Sequence, residues 1–174
     1  MEQIKKYEFT GVTKDHFGVT LRRIRAVTSF GMITAGDIGG WIEKESCLSH
    51  YGNAWVSDDS QVSGDAQVSG DAWILDNAWV FGDAWVSGDA RVSGDSRVSE
   101  HSGPLVICPL GCRRDALTAT ITADGSILVV TGCFSGSLDK FESAVAVTHG
   151  SSSKYGAEYR AAIALIRAVL GSSR

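Results

Sequence analysis

A six-residue period organises the chain between residues 54 and 102. An aliphatic residue recurs at every sixth position, at Val56, Val62, Val68, Ile74, Val80, Val86, Val92 and Val98. A small residue, alanine or serine, lies two positions before each of them, and Gly-Asp usually precedes the small residue. The repeating unit is therefore Gly-Asp-Ala-x-Val-x. A helix of 3.6 residues per turn would scatter the aliphatic side chains around its surface, so the period excludes a helix.

Each unit predicts a three-residue strand followed by a tight turn. Alternate side chains of a strand point to opposite faces, so the small and the aliphatic residues point inward and the variable residue between them points outward. Gly-Asp supplies the turn. A strand this short cannot bury its apolar side alone. The units must therefore wind into coils that stack on one another.

The unit resembles the hexapeptide repeat of left-handed β-helices, in which an aliphatic and a small residue alternate in the same way. The resemblance implies that three units form one triangular coil of about 18 residues. Residues 39–45 read Gly-Gly-Trp-Ile-Glu-Lys-Glu, and Leu48-Ser49 and the repeat follow them. This longer pattern looks like uncharacterised proteins of phages and prophages. The resemblance is specific for architecture and weak for activity.

Folding the repeat at 18 residues per coil predicts columns of side chains from successive coils, about 4.8 Å apart. The outward strand positions form the columns Trp55/Trp73/Arg91, Gln61/Trp79/Arg97 and Gln67/Trp85. The turn positions form the columns Asp59/Asn77/Asp95, Asp65/Asp83/His101 and Asp71/Asp89. Both sets follow from the six-residue period together with the three units per coil that the β-helix resemblance implies.

The negative charge of the chain is concentrated in the repeat. The 174 residues have a formal net charge of −4, but residues 41–102 carry three basic and eleven acidic side chains, while each flank has a net charge of +2. A general nucleic-acid binder needs a basic face, so this class is excluded. Two explanations of the recurring aspartates stay open: capping of the turns, or a charge lattice for a basic partner surface. A calcium ladder is disfavoured because one Asp per turn supplies too few oxygen ligands.

Four of the five tryptophans, Trp55, Trp73, Trp79 and Trp85, occupy outward positions. Monomeric soluble proteins rarely leave such a set in water. We expect the flanking regions to cover one face and a second copy or a protein target to cover another, with packing inside the molecule as the alternative for all three faces. The predicted partner-binding set is Asp59, Asp65, Asp71, Asp83, Asp89, Asp95, Trp73, Trp79 and Trp85.

The flanks predict two further units. Short alternating runs in residues 1–40 indicate an N-terminal β cap that ends in a turn at residues 36–40. Residues 41–102 are predicted to form the hexad-repeat left-handed β-helix. Residues 103–174 predict a small α/β domain with strands near 105–108, 117–122 and 127–131 and helices near 137–147 and 155–170. The predicted fold class is mainly β: a short left-handed β-helix, or β-solenoid, with an N-terminal β cap and a C-terminal small α/β domain.

The β-helix resemblance also implies an acyltransferase alternative, because enzymes of this architecture are commonly acyltransferases with a histidine as general base. His50 precedes the first repeat and His101 ends a turn column, so either can be nominated. The uninterrupted repeat leaves no inserted loop to enclose a substrate. A histidine in a surface turn is therefore the favoured interpretation, and no catalytic residue is predicted.

Metal and cofactor sites are not predicted. Cys108, Cys112, Cys133 and His149 could supply four zinc ligands, but their spacing differs from paired zinc knuckles, and free thiols are the favoured interpretation. The start of the chain has no apolar segment of a secretory signal. We therefore expect a cytoplasmic protein, in the host cytoplasm if it is phage-encoded, with reduced cysteines and no contact with a membrane.

The sequence predicts a non-enzymatic phage-type interaction protein. The hypothesis is an inhibitor of a bacterial defence system, of the anti-CRISPR kind, whose acidic solenoid mimics a nucleic acid and binds a protein target. That target would be a nucleic-acid-binding host defence protein, and the inhibitor itself would form a homodimer and contact no nucleic acid directly. The alternatives are an acyltransferase-like enzyme and a structural virion or polymer-forming protein.

Overall fold

A computed structural model describes residues 5–150 and 153–171. A short 3-10 helix lies at Glu45–Cys47. The strands are β1 (Tyr7–His16), β2 (Val19–Ala26), β3 (Ile38–Ile42), β4 (Trp55–Val56), β5 (Gln61–Val62), β6 (Gln67–Val68), β7 (Trp73–Ile74), β8 (Trp79–Val80), β9 (Trp85–Val86), β10 (Arg91–Val92), β11 (Arg97–Val98), β12 (Leu105–Leu110), β13 (Asp115–Ile121), β14 (Ile127–Thr131) and β15 (Phe134–Ser137). The helices are α1 (Leu138–His149) and α2 (Lys154–Leu170).

The short strands stack in parallel into three faces of a solenoid. Face A consists of β3, β5, β8 and β11, face B of β4, β7 and β10, and face C of β6 and β9. Trp73 pairs with Trp55 on one side and Arg91 on the other, Trp79 pairs with Gln61 and Arg97, and Trp85 pairs with Gln67. These are the three predicted outward columns. The predicted class, a short hexad-repeat left-handed β-helix with a small C-terminal α/β region, is confirmed.

Glycine at the turns permits the close stacking of the coils. Gly64 has a left-handed backbone with a φ of 71°, and a Cβ added there would lie 2.9 Å from the carbonyl oxygen of Gly82. Asp58 and Asp76 adopt the same conformation, with φ of 54° and 59°. The Asp76 carboxylate accepts the Gly94 N–H at 2.8 Å, so this side chain joins one coil to the next. At this turn position, glycine therefore leaves room for the next coil, and aspartate bonds to it.

The N-terminal hairpin extends face A at the first coil. Strand β2 pairs antiparallel with β1 and with β3. Tyr7 and Ile24 are fully buried in the core that the solenoid shares with the hairpin. Lys6 donates to the Ala54 carbonyl oxygen at 2.7 Å, and burial lowers the pKa of this ammonium to about 8.

The predicted turn at residues 36–40 is wrong in its second half. Gly39 and Gly40 lie inside β3 and are buried. A Cβ on Gly40 would lie 2.7 Å from Val56 Cγ1 and 2.8 Å from the Ser60 carbonyl oxygen. The two glycines are therefore needed because the strand passes against the next coil, and the pair was mistaken for a turn signal.

The C-terminal region is a four-stranded antiparallel sheet with two helices packed on it. The strand order is β12-β13-β14-β15. Leu117 and Val129 of the sheet are buried against Phe141 of α1 and Ile166 of α2. The sequence predicted both helices and three of the strands. It did not predict β15, because this strand lies in the glycine-rich segment 132–137, which favours a turn.

Strand β13 closes the far end of the solenoid over faces A and B. Thr118 Oγ1 accepts the Arg91 N–H at 3.0 Å, and the Ser96 and Thr120 hydroxyls lie 2.7 Å apart. The Asp95 carbonyl oxygen accepts the Ala123 N–H at 3.0 Å. These bonds satisfy backbone groups that the last coil would otherwise expose. Across the described residues, no helix is both long and apolar enough to cross a membrane.

Candidate interaction surface

Face A is covered by the N-terminal hairpin. The ring of Phe17, at the hairpin tip, stacks on Trp79 at 5.8 Å with an interplanar angle of 11°, and His16 meets the same indole edge-on at 4.8 Å. The Trp79 Nε1–H donates to Ser63 Oγ at 3.2 Å. Trp79 is therefore held by contacts within the molecule, as expected for a face covered by a flanking region.

Face B is covered in its first coil. Trp55 is only 1% exposed, because Phe30 packs edge-on against it at 5.5 Å. Its strand position is the predicted outward one, and the loop before β3 folds over it. Trp73, in the next coil, is half-buried and borders a cleft of about 200 Å³ that Met32 and Arg91 also line.

Face C leaves a tryptophan in solvent. Trp85 is 72% exposed, whereas the other four tryptophans, which also lie in the described residues, are buried or half-buried. The turns on either side of β9 carry Asp83 and Asp89, and the turns on either side of β6 carry Asp65 and Asp71. Four exposed carboxylates thus frame the face of Trp85.

The six predicted aspartates are all exposed, and they form two groups. The carboxylates of the first group bond to neighbouring residues. Asp65 pairs with Lys44 at 2.6 Å, and this hydrogen bond lowers the pKa of the Asp65 carboxyl. Asp59 accepts from Trp41 Nε1 at 3.4 Å and from Arg23 at 3.2 Å, which lowers its pKa as well. Asp71 accepts the Asn53 backbone N–H at 3.2 Å and the Asn53 side-chain N–H at 2.8 Å, so it joins one coil to the next.

The second group lies farther from the N-terminal hairpin. The carboxylates of Asp83, Asp89 and Asp95 have no hydrogen bond or ion pair to another residue in the part of the chain that the structure describes. The basic residues of the first coil and the hairpin therefore neutralise the start of two acidic columns. The free negative charge lies on the later coils, on both sides of Trp85 and at Asp95.

The two histidines nominated as general bases have different surroundings. His50 is half-buried, stacks on Tyr7 at 4.3 Å and accepts the Lys6 backbone N–H at 3.2 Å through Nδ1. Burial lowers the pKa of His50. The side chain of His101 is 88% exposed and its Nδ1 lies 3.3 Å from Glu100 Oε1. His50 thus packs the N-terminal hairpin against the first coil, and His101 stands in solvent.

The four candidate zinc ligands do not come together. Cys112, Cys133 and His149 line one cleft of about 320 Å³ in the C-terminal domain, whereas Cys108 lines a different cleft beside Arg114. Within the described residues, no group of three His, Cys, Asp or Glu side chains is placed to hold a metal ion. The first cleft also contains aromatic residues that the sequence did not connect, because they lie on separate elements.

Comparisons with known proteins concern the solenoid. A family described as the YdcK beta solenoid repeat matches residues 84–100, which include β9, β10 and β11. The chain is similar to a protein of Escherichia coli K12 named "Uncharacterized acetyltransferase YdcK", with 38% identity over 56 residues. The matched segment is 32% of this chain and 16% of that protein, so the chain spans about one sixth of this relative.

Proposed function

We propose that this chain is a non-enzymatic interaction protein that binds a basic protein surface through face C. The observation that carries the proposal is Trp85, 72% exposed between the unpaired carboxylates of Asp83 and Asp89. Tryptophan is enriched among the residues that dominate binding energy, because it fills a partner pocket with a large rigid ring. The flanking carboxylates attract a basic partner over a distance and orient it.

The chemistry of face C defines the partner. An arginine stacks on the face of an indole and pairs with a nearby carboxylate at the same time, which a lysine does less well. The complementary surface is therefore rich in arginine, as surfaces that bind nucleic-acid phosphates are. In the finer form of the proposal, the target is a nucleic-acid-binding defence protein of a bacterial host, and the chain is a phage-encoded inhibitor that occupies its basic channel.

A pull-down from bacterial lysate tests the proposal. The wild-type chain should retain a protein that the triple variant Trp85→Ser, Asp83→Asn, Asp89→Asn does not retain. Asp95→Asn is the matched control, because it removes an exposed unpaired carboxylate at a turn that does not border face C. We expect this control to retain the same protein as the wild type, and 0.5 M salt to weaken retention by screening.

Three outcomes decide against the proposal. If the triple variant retains the same protein, face C does not take part in the interaction. Equal loss in the triple variant and in Asp95→Asn would show a general charge effect with no role for the tryptophan. If the wild-type chain retains no protein that the bare resin does not also retain, the proposed binding function is wrong. Circular dichroism of each variant checks that the fold is retained.

The homodimer that the sequence predicts competes with target binding if it forms through face C. Two copies that bury Trp85 against each other would leave face C unavailable to a target, so light scattering of the wild type and of Trp85→Ala separates the two states. A dimer mass that falls to the monomer mass in Trp85→Ala supports self-association through this residue. A monomer mass in both chains contradicts it. Growth of the mass with concentration would instead support a polymer-forming protein.

The second candidate function is acyl transfer. It is favoured by a match of 56 residues to the protein named "Uncharacterized acetyltransferase YdcK". The match covers 16% of the length of that protein. His101 would be the general base, and Glu100 Oε1, at 3.3 Å from its Nδ1, would orient the ring. A higher Tm of the wild type in acetyl-CoA, or acetyl transfer that His101→Ala abolishes, would favour this candidate. Equal melting with and without millimolar acetyl-CoA would exclude it.

A further inference from the structure

The C-terminal domain contains a cleft walled by aromatic rings, which we name the aromatic cleft. It is about 320 Å³ in volume and opens between the edge of the sheet and the two helices. Its aromatic walls are Phe134, Phe141, His149 and Tyr159, and its polar residues include Cys112, Arg113, Asp115 and Cys133. A volume near 300 Å³ is at the lower end of the range for small-molecule sites, so it accommodates one ring system and a short substituent.

The four rings form a continuous wall. The ring centroids of Phe134 and Phe141 lie 5.1 Å apart, and those of Phe141 and Tyr159 lie 5.7 Å apart at 82°. His149 continues the wall by stacking on Tyr159 at 5.2 Å. These distances fall in the range in which aromatic rings attract one another, and a planar guest can meet the wall in the same way. The wall therefore selects a flat aromatic group.

Arg113 supplies a positive charge at the mouth of the cleft. It lies in the turn between β12 and β13, and its Nη1 is 3.7 Å from the position that a Cβ on Gly132 would occupy. Asp115 Oδ2 lies 3.4 Å from the same position, so both side chains stand over this glycine. Among the described residues, Arg113 forms no ion pair with a carboxylate. Its guanidinium can thus bind an anion through two parallel N–H groups.

Other groups hold the mouth of the cleft in place. Glu158 accepts the Gly111 N–H at 3.2 Å, which attaches the turn that carries Arg113 to helix α2. Tyr159 packs so closely on Gly111 that a Cβ there would lie 2.1 Å from the phenol oxygen. Burial raises the pKa of Tyr159, so its hydroxyl stays neutral and can donate a hydrogen bond. The turn and the ring wall are therefore one preorganised unit.

We propose that the aromatic cleft binds a small planar aromatic ligand that carries an anionic group, with the ring against the aromatic wall and the anion on Arg113. Asp115, beside Arg113, accepts a hydrogen bond from an N–H or O–H group of the ligand. Two sources share this chemistry: a nucleoside monophosphate and a bicyclic aromatic carboxylate. The site is separate from face C and does not depend on the function proposed for that face.

Titration of the full chain followed by amide chemical shifts tests the site. The probes are AMP and indole-3-carboxylate, and each is compared with its ring alone, adenosine or indole, and with its anion alone, inorganic phosphate or acetate. We expect at least one complete probe to shift amides in residues 111–115, 131–134 and 148–149. We also expect it to bind at least 10-fold more tightly than its separate parts, because ring and anion bind together. The complete probe that binds identifies the source.

Arg113→Gln and Arg114→Gln form the matched pair. Arg114 is the next residue of the same turn but lines the other cleft, beside Arg91 and Cys108. Arg113→Gln should weaken the complete probe at least 10-fold and leave the ring-only probe unchanged, whereas Arg114→Gln should bind like the wild type. The proposal is overturned if neither complete probe shifts these amides at millimolar concentration, if an anion alone binds as tightly as a complete probe, or if the two variants bind alike.

Discussion

Val86→Asp is expected to prevent the chain from folding. Val86 has no exposed surface, because it points into the coil from β9. A carboxylate there would be surrounded by apolar side chains of the neighbouring coils and would have no partner. A buried polar group without a hydrogen bond costs several kcal/mol, and a buried charge costs more. Since whole domains are stable by about 5–15 kcal/mol, this single change removes most of the stability.

Urea unfolding followed by far-ultraviolet circular dichroism measures the effect. We expect Val86→Asp to show no cooperative transition. Gln67→Asp is the control, because Gln67 lies on the same face, points outward and is exposed. It adds a like charge between Asp65 and Asp71, so a loss of about 1 kcal/mol is expected. A wild-type unfolding midpoint for Val86→Asp would contradict the inward assignment of the aliphatic column.

Gly40→Ala is expected to lower the free energy of unfolding by about 3 kcal/mol, since overpacking a close contact costs about 1–3 kcal/mol or more. The added methyl would lie 2.7 Å from Val56 Cγ1 and 2.8 Å from the Ser60 carbonyl oxygen. The valine is packed on all sides, and the carbonyl belongs to the backbone of the next coil. Either atom can move only if two coils separate. Thermal unfolding should show a decrease in Tm of about 6–12 °C.

Gly103→Ala is the matched control for this effect. An added Cβ at Gly103 has no atom within 4 Å. Neither Gly40 nor Gly103 has a left-handed backbone, so the pair isolates the steric contact from backbone strain. We expect Gly103→Ala to unfold within about 0.5 kcal/mol of the wild type. If Gly40→Ala and Gly103→Ala have the same Tm, the close contact of β3 with the next coil does not limit the side chain at residue 40.

The repeat made most of the solenoid predictable. The period of six fixed which side chains point inward, and the three units per coil implied by the β-helix resemblance then predicted the partners of Trp73, Trp79 and Trp85. The first coil was less predictable, because Trp41 pairs with Gln61, two residues beyond the regular spacing. Gly39 and Gly40 were predicted as a turn, since glycine marks both turns and places where two backbones approach closely.

The coverage of the faces was not predictable from the repeat. Phe17 and Phe30 lie in the N-terminal region, and nothing in their local sequence shows that one covers Trp79 and the other covers Trp55. The same is true of the aromatic cleft, whose Arg113, Phe134 and Tyr159 lie on three different elements. Contacts between distant segments depend on how the flanks dock on the solenoid, and a short-range pattern carries no such information.

Hydrogen–deuterium exchange on the complex with the captured partner locates the bound surface on the folded chain. If face C binds the partner, exchange should slow in peptides covering residues 64–71 and 82–89, which contain β6, β9 and the four framing aspartates. Exchange should stay unchanged in peptides covering residues 105–137 of the C-terminal sheet. Unchanged exchange in residues 82–89, together with protection of the C-terminal sheet, would contradict the assignment of face C as the interaction surface.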